Sequence, residues 1–124
     1  MKTYIKKYVL SENSFSEIID NKEYVWQIPT LIQYCKEQNY KSFQLPLIGI
    51  YTGVNVWKLD SVKSTIETVN RINNANFDHP ILLDDTGFIC DGWHRVVKAI
   101  TLGHDYIEAI RIEEMPPVSK IIDL

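Results

Sequence analysis

Five consecutive residues, Asp91-Gly92-Trp93-His94-Arg95, hold the densest chemistry in this chain of 124 residues. A short apolar run precedes them and a segment with helical spacing follows, so they sit where a strand turns into a helix. The first turn of a helix has backbone N–H groups without internal partners, and its dipole favours an anion. Gly92 would let such an anion approach the main chain. Arg95 adds a planar fork that matches phosphate oxygens. His94 can donate a hydrogen bond or carry a proton near neutral pH. Asp91, at the strand end, is suited to orient His94, to hold a metal ion riding on phosphates, or to take a proton from a substrate. The candidate catalytic residues are therefore Asp91 and His94. The candidate phosphate ligands are Gly92, His94 and Arg95, with Trp93 as a packing residue that could also stack on a base.

Each of these residues also has a purely structural use. Asp91 suits a helix cap and Gly92 a permissive backbone angle. Arg95 is different, because a guanidinium in the first helical turn meets the positive end of the dipole. It is expected to be held by a bound anion, not by the fold. Asp84 and Asp85 fall in a turn that favours Asp for its own hydrogen bonding, so no metal ligands are assigned there. His79, His94 and His104 lack the spacing of a zinc site.

Composition narrows the partners. Apolar residues make up 45% and charged residues 23%, and 13 basic against 16 acidic residues give a net charge of −3. That balance weighs against duplex DNA as the main partner, since phosphate neutralisation supplies most of a DNA binder's affinity. No apolar run approaches the roughly 20 residues of a membrane helix, so no membrane partner is expected. The N-terminal stretch, with Lys2, Lys6 and Lys7, lacks the apolar centre of a signal peptide. Cys35 and Cys90 are far apart and belong to no metal or redox motif. They fit free buried thiols in a reducing compartment, which makes the expected location cytoplasmic.

The elements that must position the turn follow from periodicity and punctuation. Ser14-Phe15-Ser16-Glu17 has the pattern of a capping box and predicts a short helix through Asp20. Pro29 predicts the first turn of a second helix over 30–37. Phe43 to Tyr51 predicts a strand, placed at an edge or bulge by Pro46. Asp60 or Ser61 caps a helix marked by Val62, Thr65, Ile66, Val69 and Ile72, which Asn73 and Asn74 end. Pro80-Ile81-Leu82-Leu83 and Phe88-Ile89-Cys90 predict a hairpin around Asp84-Asp85-Thr86-Gly87. A helix over 93–102 with Gly103 as its stop, and a strand over 106–112, complete the pattern. From Met115 onward a surface tail is expected. The length suits one domain, with a core over about 43–113 and a helical extension over 14–38.

The stretch from Trp57 to Ile112 resembles the ParB/sulfiredoxin superfamily: helix, hairpin, Gly-x-x-Arg turn, helix, closing strand. Gly92 and Arg95 match the ends of the ParB turn motif, and Gly92, His94 and Arg95 align with that of sulfiredoxins. Asp91-Gly92-x-His94-Arg95 is similar to the patterns of free serine kinases and DndB-like proteins. The run through Ala99 resembles short stand-alone bacterial ParB-like proteins, with similarity reaching back to Val25-Trp26-Gln27-Ile28-Pro29. Two departures limit the likeness. Trp93 stands where sulfiredoxins have their nucleophilic Cys, so sulfinic-acid repair by that route is not expected. Ser64 and Thr68 match two nucleotide-contacting positions of the preceding helix, but Ser61 stands at the third, a Lys.

The resemblance implies an α/β (α+β) fold, a small mixed sheet with packed helices. It also implies a nucleotide or phosphorylated small molecule as partner: ATP or ADP, or CTP, with Mg2+. Ser64 and Thr68 would join the turn as nucleotide ligands. Phosphoryl transfer or phosphohydrolase chemistry is the reaction class this suits. The alternative is a non-catalytic ParB-like module that binds DNA or a protein; a ParB-like nuclease comes third, disfavoured by the acidic balance.

Overall fold

The computed structural model describes residues 7–11 and 13–124, so Lys2 and Lys6 lie outside the described residues. The chain is mixed α and β, with two four-stranded sheets and three α-helices among those residues. Strands β1 (Lys7–Leu10), β2 (Ser14–Ile19) and β3 (Lys22–Gln27) run into helix α1 (Ile28–Glu37). Then come β4 (Phe43–Pro46), a 3-10 turn at Leu47–Gly49, and α2 (Val62–Asn74). The hairpin β5 (Ile81–Leu83) and β6 (Ile89–Asp91) leads into α3 (Trp93–Thr101), β7 (Tyr106–Arg111) and β8 (Lys120–Asp123).

The hairpin strands are apolar at successive positions because both their faces are covered. Ile81, Leu83 and Ile89 pack with Trp93, Val96 and Ala99 of α3. Leu82 and Cys90 point the other way, into a cluster with Phe15, Trp26, Leu31 and Ile112. One sheet has the order β4-β7-β5-β6, with β5 and β7 parallel and the other pairs antiparallel. The other is antiparallel throughout, in the order β1-β2-β3-β8. A mixed sheet is thus present, but it is one of two.

The second half follows the sequence pattern closely. Ser61 caps α2, accepting a hydrogen bond from the Ser64 N–H at 3.0 Å while the Ser64 hydroxyl accepts one from the Ser61 N–H at 3.1 Å. Gly103 ends α3 at φ +78°, with the His104 N–H reaching the Ala99 carbonyl in a Schellman arrangement. Asn39 does the same for α1 at φ +54°, and Pro29 opens that helix. Pro46 ends an edge strand, but the chain then turns into a 3-10 turn that leaves Ile48 98% exposed, so the strand stops short of Tyr51.

The first third departs from expectation. Residues 14–20 do not form a helix: Ser14–Ile19 is a strand, paired along its length with Lys22–Gln27. Asp20, at φ +51°, lies at the tip of the tight turn between them. The capping-box letters are present, but Phe15 buries itself fully against Trp26 and Phe88 only if side chains alternate, as a strand makes them. The helical extension over 14–38 is therefore a hairpin followed by one helix. The tail is also more than a surface loop, because β8 completes the first sheet against β3. The Trp26 indole N–H holds it by donating to the Pro116 carbonyl at 2.9 Å. No helix among the described residues is long and apolar enough to cross a membrane.

Since Phe15 reaches across to the hairpin, the two sheets should unfold together. Phe15→Ala is expected to cost about 3–5 kcal/mol and to keep a single transition in urea, followed by tryptophan fluorescence and circular dichroism. Two separate transitions would show that the sheets are independent.

Candidate functional site

A cavity of about 860 Å³ opens over the strand-to-helix turn and takes in all five residues from Asp91 to Arg95. Packing sets the turn's geometry. Gly92 caps α3 at φ +109°, and a Cβ on it would collide with the Ile81 side chain, so no other residue fits without displacing the strand beneath. Its carbonyl accepts the first helical bond of α3, from the Val96 N–H. Trp93 is buried, and its indole N–H reaches the Ile89 carbonyl at 3.3 Å, which fits the packing role. His94 lies against Trp57, ring centroids 4.7 Å apart, and both rings line the cavity.

Arg95 corrects the expectation that only an anion would hold it. One terminal nitrogen donates to the carbonyls of both His79 and Pro80, and the other pairs with the Asp91 carboxylate at 3.2 Å. With its side chain 16% exposed, Arg95 ties the strand that ends at Asp91 to the loop leading into β5. The carboxylate of Asp91 offsets the unfavourable dipole, and the carbonyls satisfy the fork. Asp91 is thus engaged by Arg95, while Gly92 caps the helix.

The residues suggested on α2 are not brought to the turn. Ser64 spends its hydroxyl on the cap with Ser61, and neither Ser64 nor Thr68 lines the cavity. The last turn of α2 does, through Arg71 and Asn74, because Lys98 of α3 donates to the carbonyls of Asn73 and Ala75 and holds that end close. Lys36, from the last turn of α1, supplies a further cation. Tyr40, Val56 and Trp57 add apolar and aromatic wall. None of these carried a sequence signal toward the turn, since they lie on different elements 17 to 55 residues away in the chain.

Both cysteines also line the cavity, yet their chemistry is muted. Burial, then the nearby charges of Asp84 and Asp91, pushes the Cys90 thiol far above its ordinary value. Burial also raises Cys35. A thiol needs its thiolate form to attack, so neither is set up as a nucleophile.

With this geometry in hand, comparison with known proteins adds no relative: no family model, curated protein or solved structure matches the chain.

Two outcomes follow from the geometry. Arg95→Ala is expected to destabilise the unliganded protein by about 2–4 kcal/mol, since it strands the Asp91 carboxylate and two carbonyls. Arg95→Lys should recover part of this, because a point charge cannot serve three acceptors as well. Urea titration of the three proteins measures both effects, and an unchanged midpoint for Arg95→Ala would mean that the clamp contributes nothing. For the thiols, iodoacetamide at pH 7.5 should modify Cys35 and Cys90 at least about tenfold more slowly in the native than in the urea-unfolded protein. The native rate should climb only well above the usual thiol range, as follows from raised values.

Proposed function

We propose that the cavity binds a nucleotide or another phosphorylated small molecule, in the manner of the ParB/sulfiredoxin superfamily that the Asp91–Arg95 motif resembles. The observation that carries this reading is the joining of that turn to two further cations, Lys36 and Arg71, around one cavity. A volume of about 860 Å³ is in the range of small-molecule sites. Its walls divide the tasks. Trp57, Val56 and Tyr40 offer a surface for a flat base, while the N-terminus of α3, His94, Lys36 and Arg71 suit the phosphates.

Arg95 enters this reading through Asp91. By holding the strand end and the loop over 79–80, it fixes the backbone N–H groups at the start of α3 that would meet the anion. His94 is the candidate proton carrier if the bound phosphate reacts, by transfer or hydrolysis. ATP, ADP or CTP are the ligands to try, with Mg2+ to offset phosphate charge. Buried free thiols fit a cytoplasmic setting. A second reading is a non-catalytic module that binds DNA or a protein; for a protein it draws on α2, whose Val62, Ile66 and Val69 are exposed along one face.

Thermal shift with each nucleotide, with and without Mg2+, tests the first reading, because a ligand of the native state must raise the melting temperature. At physiological salt, a nucleotide should stabilise the protein more than duplex DNA does. Lys36→Ala and Arg71→Ala, both at exposed positions, should weaken binding roughly tenfold each and leave the unliganded protein folded. Tight duplex binding without any nucleotide response would overturn the proposal and favour the non-catalytic module.

A further inference from the structure

On the far side of the β5–β6 turn from α3, a different group of side chains converges. We propose that Glu17, Asp84 and Asp85 form a binding site for a hard divalent cation of calcium size, joining the first sheet to the β5–β6 turn. None of the three lines the cavity, so this site stands apart from the nucleotide reading.

The central observation is an oxygen left over. Asp84 is 0% exposed, and its Oδ1 accepts three hydrogen bonds, from the Thr86 N–H at 2.9 Å, the Thr86 hydroxyl at 2.8 Å and the Phe88 N–H at 2.8 Å. These bonds shape the turn, and one oxygen is enough for all of them. The other, Oδ2, is buried and has no hydrogen-bond donor among the described residues. A buried acceptor is normally satisfied, the more so on a carboxylate. A cation would satisfy it.

Two more carboxylates stand at the same point. One oxygen from each of Glu17, Asp84 and Asp85 lies within 4.8 Å of the others. Glu17 is buried on β2 at a position two residues from Phe15, on the face that enters the core, where strand alternation calls for an apolar side chain. Asp85 is exposed to solvent, and its carbonyl accepts a hydrogen bond from the Arg111 guanidinium at 2.8 Å. A divalent ion set between carboxylates this close would be attracted to each of them.

The donors choose the ion. All are carboxylate oxygens, which suits a hard cation and not zinc or copper. Calcium takes six to eight oxygens at about 2.3–2.6 Å in irregular geometry, so opposite ligands sit about 5 Å apart, whereas magnesium demands a tighter octahedron. Three protein oxygens with water completing the shell would give modest affinity and a local staple between β2 and the turn.

Metal-free protein is melted in the presence of chelator and with roughly 1 mM Ca2+, a concentration at which sites of this kind fill. The expected result is a rise of roughly 3–6 °C with Ca2+. Asp85→Ala, at an exposed position, should fold and lose the rise; Asp84→Asn keeps an oxygen for the three turn bonds and should lose it too. Terbium, used as a luminescent probe, should be sensitised by Tyr8, whose hydroxyl lies 3.4 Å from that of Thr86, and Ca2+ should displace it. No rise with Ca2+, or an equal rise in Asp85→Ala or in Asp84→Asn, overturns the proposal.

Discussion

Burial of the β5–β6 hairpin on both faces is the constraint from which the rest of the fold follows. Strands of three residues have too few ladder bonds to persist alone. They are held because Ile81, Leu83 and Ile89 are covered by α3 while Leu82 and Cys90 are covered by the first sheet and α1. Covering both faces is what requires the second sheet. It also fixes where the chain leaves β6, and therefore where Asp91 and Gly92 stand. The contact between Gly92 and Ile81 leaves no space for a Cβ, so only glycine fits where the helix begins.

Around this anchored turn, charge is arranged in two tiers. Arg95 works inward, exchanging its fork for two carbonyls and the Asp91 carboxylate. An arginine engaged in this way organises the site more than it contacts a ligand. The outward tier comes from the ends of α1 and α2, where Lys36 and Arg71 approach the cavity. A basic residue in the last turn of a helix is favoured by the dipole, so these cations are stable where they are before any ligand arrives. The division explains how an acidic chain can offer a locally basic cavity.

The same hairpin turn has its own electrostatics on the opposite side. The Asp84 carboxylate builds the turn with Oδ1, leaves Oδ2 buried without a donor among the described residues, and has one oxygen within 4.8 Å of carboxylate oxygens of Glu17 and Asp85.

Much of the second half was legible from the chain alone. Ser61, Gly103 and the apolar spacing of 93–102 mark their elements because caps and helical periodicity act over a few residues, and the hairpin over 81–91 shows in two short apolar runs around a turn. The Asp91–Arg95 sequence likewise announces a strand-to-helix junction. Where the chain misleads, a distant partner has the last word. Ser14 to Glu17 satisfies the local pattern for a helix start, yet pairing with β3 and the burial of Phe15 outweigh it. The tail beyond Met115 becomes a strand only because β3 presents an open edge. Arg95 finds acceptors 15 and 16 residues away, Ser64 is taken by its cap, and the cavity cations come from helices that nothing in the sequence links to the turn. Local hydrogen bonding and side-chain period were therefore determined by the sequence as it stands. Which charges meet, and which carboxylate oxygen is left unmatched, was decided by packing that brings remote segments together.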